Sequence, residues 1–398
     1  MKTCGLDVHK DTIFCAIYNG KSYLETKEFS TLTPDIRKLG EYLKSEKVKR
    51  VAMESTATYW LPVWDLLYDM GLELTLVNPY LVKQMPGRKS DVKDAQWIAC
   101  LLYKGLLRGS FVPKPIIQEL RSYTRTYTKL QGRRTSCLTK MDRILVGCGI
   151  RLSSCVSTIG GKSSIKVINA LITGENNPDN LVKLVYGNTA NKTSGRLKQA
   201  LTGNLKPHHI TRLKWEKQEY DLTELQISEC LFEMERICKE HYAQELDLLR
   251  TIPGISLVSA IIVIAETGGD MSVFENSGKL TGWTGLRPRN DQSAGKYKST
   301  ATTKGNKYLR TILVQIAWAA VRTKRSLFME KFNRLAMRKS RKKALIAISR
   351  KILVVVWNVL QKKNAYNPIL TPIYDPEKLT NRMKYHQKEF EKIKKIIA

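Results

Sequence analysis

The first 103 residues alternate between short apolar runs, rich in β-branched residues, and amphipathic helical segments. The runs 3–8 and 12–18 are joined by a short polar turn, which predicts a β-hairpin, and 22–29 extends it as a third strand. Beyond the hairpin the pattern predicts three helices and two strands in alternation: 34–44, 48–53, 60–70, 72–77 and 91–103. This order is typical of a mixed α/β sheet.

Four acidic side chains occupy informative places in this pattern. Asp7 interrupts the first apolar strand, and Glu54 closes a later one. Asp91 and Asp94 are three residues apart at the start of a helix, so their side chains face the same way. If these acids converge, their mutual repulsion favours a bound cation, and hard oxygen ligands suit Mg²⁺ or Mn²⁺. Each acid alone is more commonly a solvated surface group, the interpretation we keep for Asp11, Asp65 and Asp69.

The net charge of the chain is +31, from 67 basic and 36 acidic residues. Residues 1–115 hold only 17 basic and 13 acidic side chains, so residues 116–398 carry +27. A polyanion is the usual partner of such a surface; nucleic acid is the first candidate and an anionic membrane surface the second. We therefore expect a near-neutral catalytic part followed by a part that binds phosphates.

A long helical region follows the α/β part. Residues 116–146 read as a basic helix, and 156–206 are rich in Gly, Ser, Asn and Thr and give no clear pattern. The segment 208–250 contains neither Gly nor Pro and has apolar residues at heptad spacing: Leu213, Tyr220, Ile227 and Met234. A coiled coil needs a second row of apolar residues, and Lys217 and Glu224 interrupt that row. A short coiled coil and a long core-packed helix therefore both remain possible structures for this segment.

The region 246–335 predicts a second globular unit. Its Pro253-Gly254 turn between two helices resembles a helix-hairpin-helix motif, although an ordinary helix turn fits as well. Ser293 lies in a Gln-Ser-Ala-Gly loop. No histidine lies near it in the sequence, so a catalytic triad is not indicated. We predict that nucleic acid is bound by Arg250, Gly254, Arg287, Arg289, Lys296, Lys298, Lys304, Lys307 and Arg310.

The cysteines and the apolar stretches of the chain indicate its cellular compartment. The eight cysteines form no Cys-x-x-Cys pair, and no histidine stands at zinc spacing from them, which is typical of reduced thiols. The start of the chain has acids too early for a signal peptide, and the apolar stretch 255–265 is too short to span a bilayer. We expect a cytoplasmic, nucleoid-associated protein with no membrane partner.

Four short motifs carry a resemblance to a known family. They are GLDVHK at 5–10, AMESTATYW at 52–60, VNP at 77–79 and KSDVKDAQWIA at 89–99. In this order they resemble the DEDD signature of the insertion-sequence one-ten transposase family, whose N-terminal domain is similar to RuvC-type Holliday-junction resolvases. The resemblance implies an RNase H-like (RuvC-like) α/β domain in which Asp7, Glu54, Asp91 and Asp94 bind the metal.

The later motifs resemble the C-terminal transposase domain of the same family. They are GLRP at 285–288, QSAG at 292–295 and TKGNKYLR at 303–310. The resemblance covers roughly 3–150 and 246–335, and it implies that Ser293 attacks DNA to form a covalent phosphoserine link. Ala294 departs from the commoner Ser-Gly order, so Ser299 is the fallback nucleophile.

The resemblance also implies partners and a domain order. Family members act as dimers and tetramers on element ends and target DNA, and they use a structured non-coding guide RNA. We expect four parts. They are a RuvC-like domain at 1–150, a helical part with a possible coiled coil at 151–245, a mostly α transposase domain with the helix-hairpin-helix-like motif at 246–335, and a basic helical tail at 336–398. The acids and Ser293 would form one composite site, either within one protomer or between two protomers. Metal held by the acids would activate Ser293 or polarise the scissile phosphate.

Three other functions compete with this interpretation. A metal-dependent junction nuclease would use the same acids to activate water, and a non-catalytic nucleic-acid-binding protein would need none of this chemistry. An actin-like sugar kinase also begins with a Gly-x-Asp hairpin. That reading needs Gly-rich phosphate loops, which the sequence lacks, and leaves the charge unexplained.

Overall fold

A computed structural model of the chain describes residues 2–54, 57–77, 91–107, 109–186, 188–289, 291–293, 296–299, 301–324, 326–368 and 376–397. The chain forms two compact units, Met1–Pro113 and Lys114–Ala398. The first unit thus ends earlier than the first predicted domain, because the long helix that begins at residue 115 packs within the second unit. The four-part division of the chain stays a prediction.

The first unit is built around a mixed sheet. Its described elements are, in order, β1 (Thr3–Val8), β2 (Thr12–Tyr18), β3 (Lys27–Ser30), α1 (Thr33–Ser45), β4 (Arg50–Glu54), α2 (Trp60–Asp69), β5 (Glu73–Val77) and α3 (Asp91–Tyr103). The strand order is β3-β2-β1-β4-β5. Strands β1, β4 and β5 run parallel, and β2 is antiparallel to both of its neighbours. The predicted mixed α/β sheet is confirmed.

The third strand is shorter and later than predicted. The expected strand 22–29 was wrong in its bounds: β3 is Lys27–Ser30, and Tyr23 forms only an isolated bridge with Tyr18. The cause is a side-chain turn that follows β2. The Asn19 carboxamide oxygen accepts backbone N–H bonds from Lys21 at 2.8 Å and from Ser22 at 2.9 Å, which diverts the chain before it can pair.

The two faces of the sheet follow from strand alternation. Leu6 and Val8 point into a core shared with apolar residues of α1 and α2. Gly5 and Asp7 therefore lie on the opposite face, where Ala52 and Val77 pack against α3. The period of two along β1 thus places Asp7 beside helix α3.

The second unit is mainly helical. Its described helices and strands are α4 (Pro115–Gly147), α5 (Lys162–Ile172), α6 (Pro178–Val182), α7 (Asn188–Leu201), α8 (Pro207–His241), α9 (Ala243–Arg250), α10 (Leu257–Thr267), α11 (Ser277–Trp283), β6 (Asp291–Ser293), β7 (Lys296–Ser299), α12 (Lys307–Ala320), α13 (Leu327–Ala336), α14 (Arg341–Lys362) and α15 (Pro376–Ile397). Helices α5 to α7 lie in the segment 156–206, which showed no clear pattern in the sequence.

Helices α4 and α8 pack along each other. Ion pairs join early residues of one to late residues of the other, which makes the pair antiparallel: Glu119 to Arg236, Arg134 to Glu224 and Lys140 to Glu216. The heptad residues Leu213, Ile227 and Met234 are buried. The 35-residue helix is therefore a core-packed partner of α4, and its heptad pattern serves this intramolecular contact.

A buried carboxylate joins three elements of the second unit. Glu266 at the end of α10 has no exposed surface and accepts two hydrogen bonds from the Arg125 guanidinium, both at 3.0 Å. The Asn306 amide donates to it at 2.6 Å. Arg121 donates to the carbonyl oxygens of Ala265 and Glu266, and burial lowers the pKa of Arg121 to about 10. This network fixes α4, α10 and the start of α12 together.

Helix α14 explains part of the apolar composition. By length and composition alone, Arg341–Lys362 meets the requirements of a membrane span, although 56% of its apolar window is buried in the protein. Ile348, Leu353 and Val356 are fully buried in the same core as α10 and α12. Within the described residues, α14 serves as a core helix.

Candidate metal centre and serine hairpin

Asp7 and Glu54 are neighbours across the sheet. Strand β1 pairs with β4 in parallel, with Leu6 opposite Met53, so Asp7 and Glu54 follow in the same register at the C-terminal ends of both strands. Adjacent residues in register point to the same face of a sheet. Both side chains are buried, with 6% and 9% of their surface exposed. The sheet thus brings two of the predicted acids together on the α3 face.

Helix α3 brings the other two acids to the same place. Asp91 and Asp94 lie in its first turn, Asp91 exposed and Asp94 half-buried. The helix rests directly on β1: the Thr3 hydroxyl donates to the carbonyl oxygen of Ala99 at 2.9 Å, and Gly5 lets the two backbones touch. This close approach sets the first turn of α3 above Asp7.

His9 also belongs to this cluster, which the sequence interpretation missed. Its Nε2 atom lies 3.1 Å from Asp7 Oδ2 and 3.6 Å from Asp91 Oδ1. Potential ligand atoms of Asp7, His9 and Asp91 all lie within 4.8 Å of one another. The spacing Asp-x-His at the end of a strand was the available signal, because residues two apart share a face.

The electrostatics of the cluster are unfavourable without a cation. The pKa of Asp7 is raised from 3.8 to about 6, and burial is the largest cause. The carboxylates of Glu54, Asp94 and Asp91 contribute to this rise, whereas His9 opposes it. The other three acids are therefore close enough to act on Asp7.

The donor set fits a hard divalent cation. Carboxylate oxygens are the ligands that Mg²⁺ and Mn²⁺ prefer, and a cation would offset the repulsion from neighbouring carboxylates that contributes to the raised pKa of Asp7. Asp7, Glu54, Asp91 and Asp94 are the residues that would hold it, with His9 at the edge of the cluster. Phosphoryl transfer is the chemistry that metal on such a cluster supports.

In the second unit, Ser293 ends strand β6 of a two-stranded hairpin. Ser293 pairs with Lys296, and Asp291 pairs with Ser299 after a bulge between Asp291 and Gln292. The two residues of the connection, 294 and 295, lie outside the described residues. The backbone therefore places Ser293 at the tip of the hairpin, while Ser299 is near its base.

The base of this hairpin is clamped by Arg310 from α12. Its guanidinium donates to the Thr302 hydroxyl at 2.9 Å and to the carbonyl oxygen of Gly285 at 3.3 Å. Gly285 and Gly305 cross so closely that a Cβ on Gly305 would lie 2.4 Å from the nitrogen of Gly285. Arg310 thus has a structural role here, and its contact with nucleic acid stays a prediction.

The other basic candidates are mostly at the surface. The side chains of Arg250, Arg287, Arg289, Lys304 and Lys307 are exposed. Lys296 and Lys298 lie on β7, and their side chains are outside the described residues. The exposed positions are compatible with phosphate contacts, which remain predictions.

The Pro253-Gly254 turn packs into the unit. Gly254 has a φ of +89°, and a Cβ there would lie 2.6 Å from the Ala320 nitrogen and the Ile316 carbonyl oxygen of α12. Glycine is thus required by both conformation and close packing. The turn does connect two helices, α9 and α10, while its role as a helix-hairpin-helix motif stays a prediction.

Family models match two separate regions of the chain. A model of IS110-type DEDD transposases, described as "Transposase", matches residues 4–150. A second, described as "Transposase IS116/IS110/IS902 family", matches residues 246–333. Together they cover more than half of the chain, and each includes one of the two candidate groups, the acids or Ser293.

The chain is also similar to individual proteins. The chain is 24% identical over 382 residues to the transposase for insertion sequence element IS1111A of Coxiella burnetii, covering 92% of this chain and 91% of that protein. It is 29% identical over 136 residues to a pilin gene-inverting protein of Moraxella lacunata, covering 33% and 41%. RuvC of Thermus thermophilus in complex with a Holliday junction substrate aligns with 28% of this chain and 99% of its own, at 15% identity and a TM-score of 0.22.

Proposed function

Because this chain belongs to the IS110 family of DEDD transposases, we propose that it cuts and rejoins DNA with a metal-dependent site and a serine nucleophile. The proposed catalytic residues are Asp7, Glu54, Asp91, Asp94 and Ser293. The observation that carries the proposal is the convergence of four acids around Asp7, a buried carboxylate whose pKa is about 6. The strand order of the first unit supports the RNase H-like fold that the sequence resemblance implies.

The acids are proposed to hold Mg²⁺ or Mn²⁺. A bound divalent cation would stabilise negative charge on the attacking and leaving oxygens of a phosphodiester. Asp7 and Glu54 supply a rigid half of the site, because both end strands of one sheet. Asp91 and Asp94 supply the other half from the first turn of α3. His9 is proposed to keep Asp7 ionised, since their interaction lowers the pKa of Asp7.

Ser293 is proposed to form the covalent intermediate. Its Oγ makes a bond to a backbone phosphorus and loses the hydroxyl proton, while the bond from phosphorus to a deoxyribose oxygen breaks. That oxygen leaves as a hydroxyl after it takes up a proton. Reversal with a different deoxyribose hydroxyl rejoins the strand, so the energy of the phosphodiester is conserved. Support comes from the QSAG and TKGNKYLR motifs and from the position of Ser293 at a hairpin tip.

The proposed partners follow from charge and family. Element ends and target DNA are the substrates, and the net charge of +27 on residues 116–398 suits a polyanion. A structured non-coding guide RNA and a homodimer or homotetramer are further proposals, with acids and serine acting in cis or in trans. The protein is proposed to act in the cytoplasm, associated with the nucleoid.

Recombination by matched variants tests this function. Wild-type protein, element-end DNA, target DNA and the flanking non-coding RNA should give joined products with Mg²⁺. Ser293→Ala should abolish joining and retain DNA binding, whereas Ser299→Ala should retain both. Asp7→Asn should abolish the metal-dependent reaction. Full joining by Ser293→Ala would exclude the serine role, and an unchanged rate for Asp7→Asn would exclude the metal site.

A junction nuclease remains the second candidate because it would use the same acids. In that reaction water, rather than Ser293, would attack the phosphorus, and no protein–DNA adduct would form. Metal-dependent cutting without an adduct would favour it. A non-catalytic binding protein would show neither cutting nor adduct under the same conditions.

A further inference from the structure

The most basic part of the chain lies mostly beyond the second family match, which ends at residue 333. Residues 322–351 contain 12 Lys and Arg side chains and a single acid, Glu330. This segment includes α13 (Leu327–Ala336), the turn that follows it and the first half of α14 (Arg341–Lys362). Such a density of like charge opposes folding unless an anion is bound.

Three cations meet where α13 packs on α14. Lys331 and Arg334 are one turn apart on α13, and Lys351 is on α14. Burial lowers the pKa of the half-buried Lys331 ammonium, and the charges of Lys351 and Arg334 lower it further. In the part of the chain that the structure describes, no ion pair joins any of the three to a carboxylate. Among the described residues, no ion pair of these three cations offsets their repulsion.

A second group of cations begins α14. Arg341, Lys342 and Lys343 are exposed in its first turn, which contains no acid. The positive end of the helix dipole makes cations unfavourable at this place. Apolar side chains along the same helix, including Ile348 and Leu353, are buried in the core, so the helix is held in place while Arg341, Lys342 and Lys343 stay exposed.

We propose that these six side chains, the α13–α14 basic surface, bind the backbone phosphates of duplex DNA. The inference rests on the proposed function, in which DNA is the substrate. Phosphates would remove the repulsion around Lys331 and the unfavourable charge at the start of α14.

Duplex DNA fits this surface better than single-stranded RNA does. Single strands are generally held by exposed aromatic side chains on which bases stack. Phe328 and Phe332 of α13 are buried, and the guanidinium of Arg322 lies over the ring of Trp318. The surface therefore offers charge for a backbone and few free rings for bases.

The salt dependence of DNA binding tests the proposal. Full-length wild type and a Lys331→Gln, Arg334→Gln, Lys351→Gln variant would be titrated with a duplex of unrelated sequence over a range of NaCl concentrations. The matched control is Lys140→Gln, Lys198→Gln, Lys239→Gln, which removes the same charge at lysines already paired with Glu216, Asp179 and Glu235. A Lys331→Arg, Lys351→Arg variant keeps the charge.

The surface variant should lower the slope of log Kd against log salt by about 2 to 3, since each phosphate contact contributes about 0.9. The control and the arginine variant should keep the wild-type slope, and all proteins should unfold cooperatively. Equal slopes for the surface variant and the control would overturn the inference. A slope that the surface variant lowers for single-stranded RNA but not for duplex DNA would also overturn the inference. Absence of duplex binding by the wild type would instead contradict the proposed function itself.

Discussion

A Cβ atom on Gly5 would lie 2.2 Å from the carbonyl oxygen of Ala95, so strand β1 and helix α3 meet backbone to backbone beside the acidic cluster. No side chain larger than hydrogen fits between them. The placement of Asp91 and Asp94 above Asp7 therefore depends on this glycine. The contact links a local sequence feature, the glycine of the GLDVHK motif, to the geometry of the candidate metal site.

Gly5→Ala should displace α3 and weaken metal binding. We expect a loss of about 1–3 kcal/mol in the free energy of unfolding, typical of an overpacked core, and reduced affinity for Mn²⁺. Calorimetric titration and chemical denaturation measure the two effects. Gly132→Ala in α4 is the control, because no atom lies within 4 Å of its Cβ position and alanine favours a helix. Unchanged Mn²⁺ affinity in Gly5→Ala would refute the dependence.

Metal binding should weaken as the pH falls through about 6, where Asp7 becomes protonated. Without metal, the raised pKa of Asp7 stabilises the folded state. This contribution is fully present below pH 3.8, the ordinary pKa of the group, and is lost as the pH rises through about 6. The increase in Tm caused by Mg²⁺ should thus be larger at neutral pH than at acidic pH. Asp7→Asn should remove this difference. The same Mg²⁺-induced increase at both pH values would contradict the assignment of Asp7.

His9→Ala should reduce metal affinity about 10- to 100-fold, the usual effect of removing a residue that orients a ligand. The reason is that His9 lies 3.1 Å from Asp7 and lowers its pKa. Asp11→Asn is the control, since Asp11 is exposed in the same turn. Equal affinities for the two variants, measured with Mn²⁺, would remove His9 from the site.

Glu266→Gln should destabilise the second unit by about 3–5 kcal/mol, because Arg125 would lose a buried ionised partner. Glu233→Gln, which breaks an exposed pair with Arg236, should cost less than about 1 kcal/mol. Urea denaturation followed by far-UV circular dichroism measures both. Similar stabilities for the two variants would show that the Glu266 network contributes little.

The sequence predicted those features that depend on local pattern. Apolar residues recur every two residues in strands and every three to four residues in helices. This spacing predicts the alternation of strands and helices, the acids at strand ends and the antiparallel hairpin of β1 and β2. His9 was missed because it follows the strand in a turn, where the pattern alone suggested a connection. The bounds of β3 were wrong because the side chain of Asn19 forms a turn that apolar periodicity does not reveal.

Contacts between distant residues could not be predicted in this way. Glu266 and Arg125 are 141 residues apart, and their pairing depends on how α4 packs against α10. The structural role of Arg310 was also hidden, because its basic side chain alone suggested a phosphate contact. The apolar composition of α14 likewise does not reveal that the helix is buried in the core.

Trapping the covalent intermediate tests most sharply whether Ser293 is the nucleophile of a metal-dependent reaction. The purified protein would be incubated with Mg²⁺, element-end DNA and the flanking non-coding RNA, then denatured, digested and mapped by mass spectrometry. We expect a DNA adduct on the peptide that contains Ser293, dependent on metal and absent from Asp7→Asn. Metal-dependent cleavage with no adduct at Ser293 would contradict it.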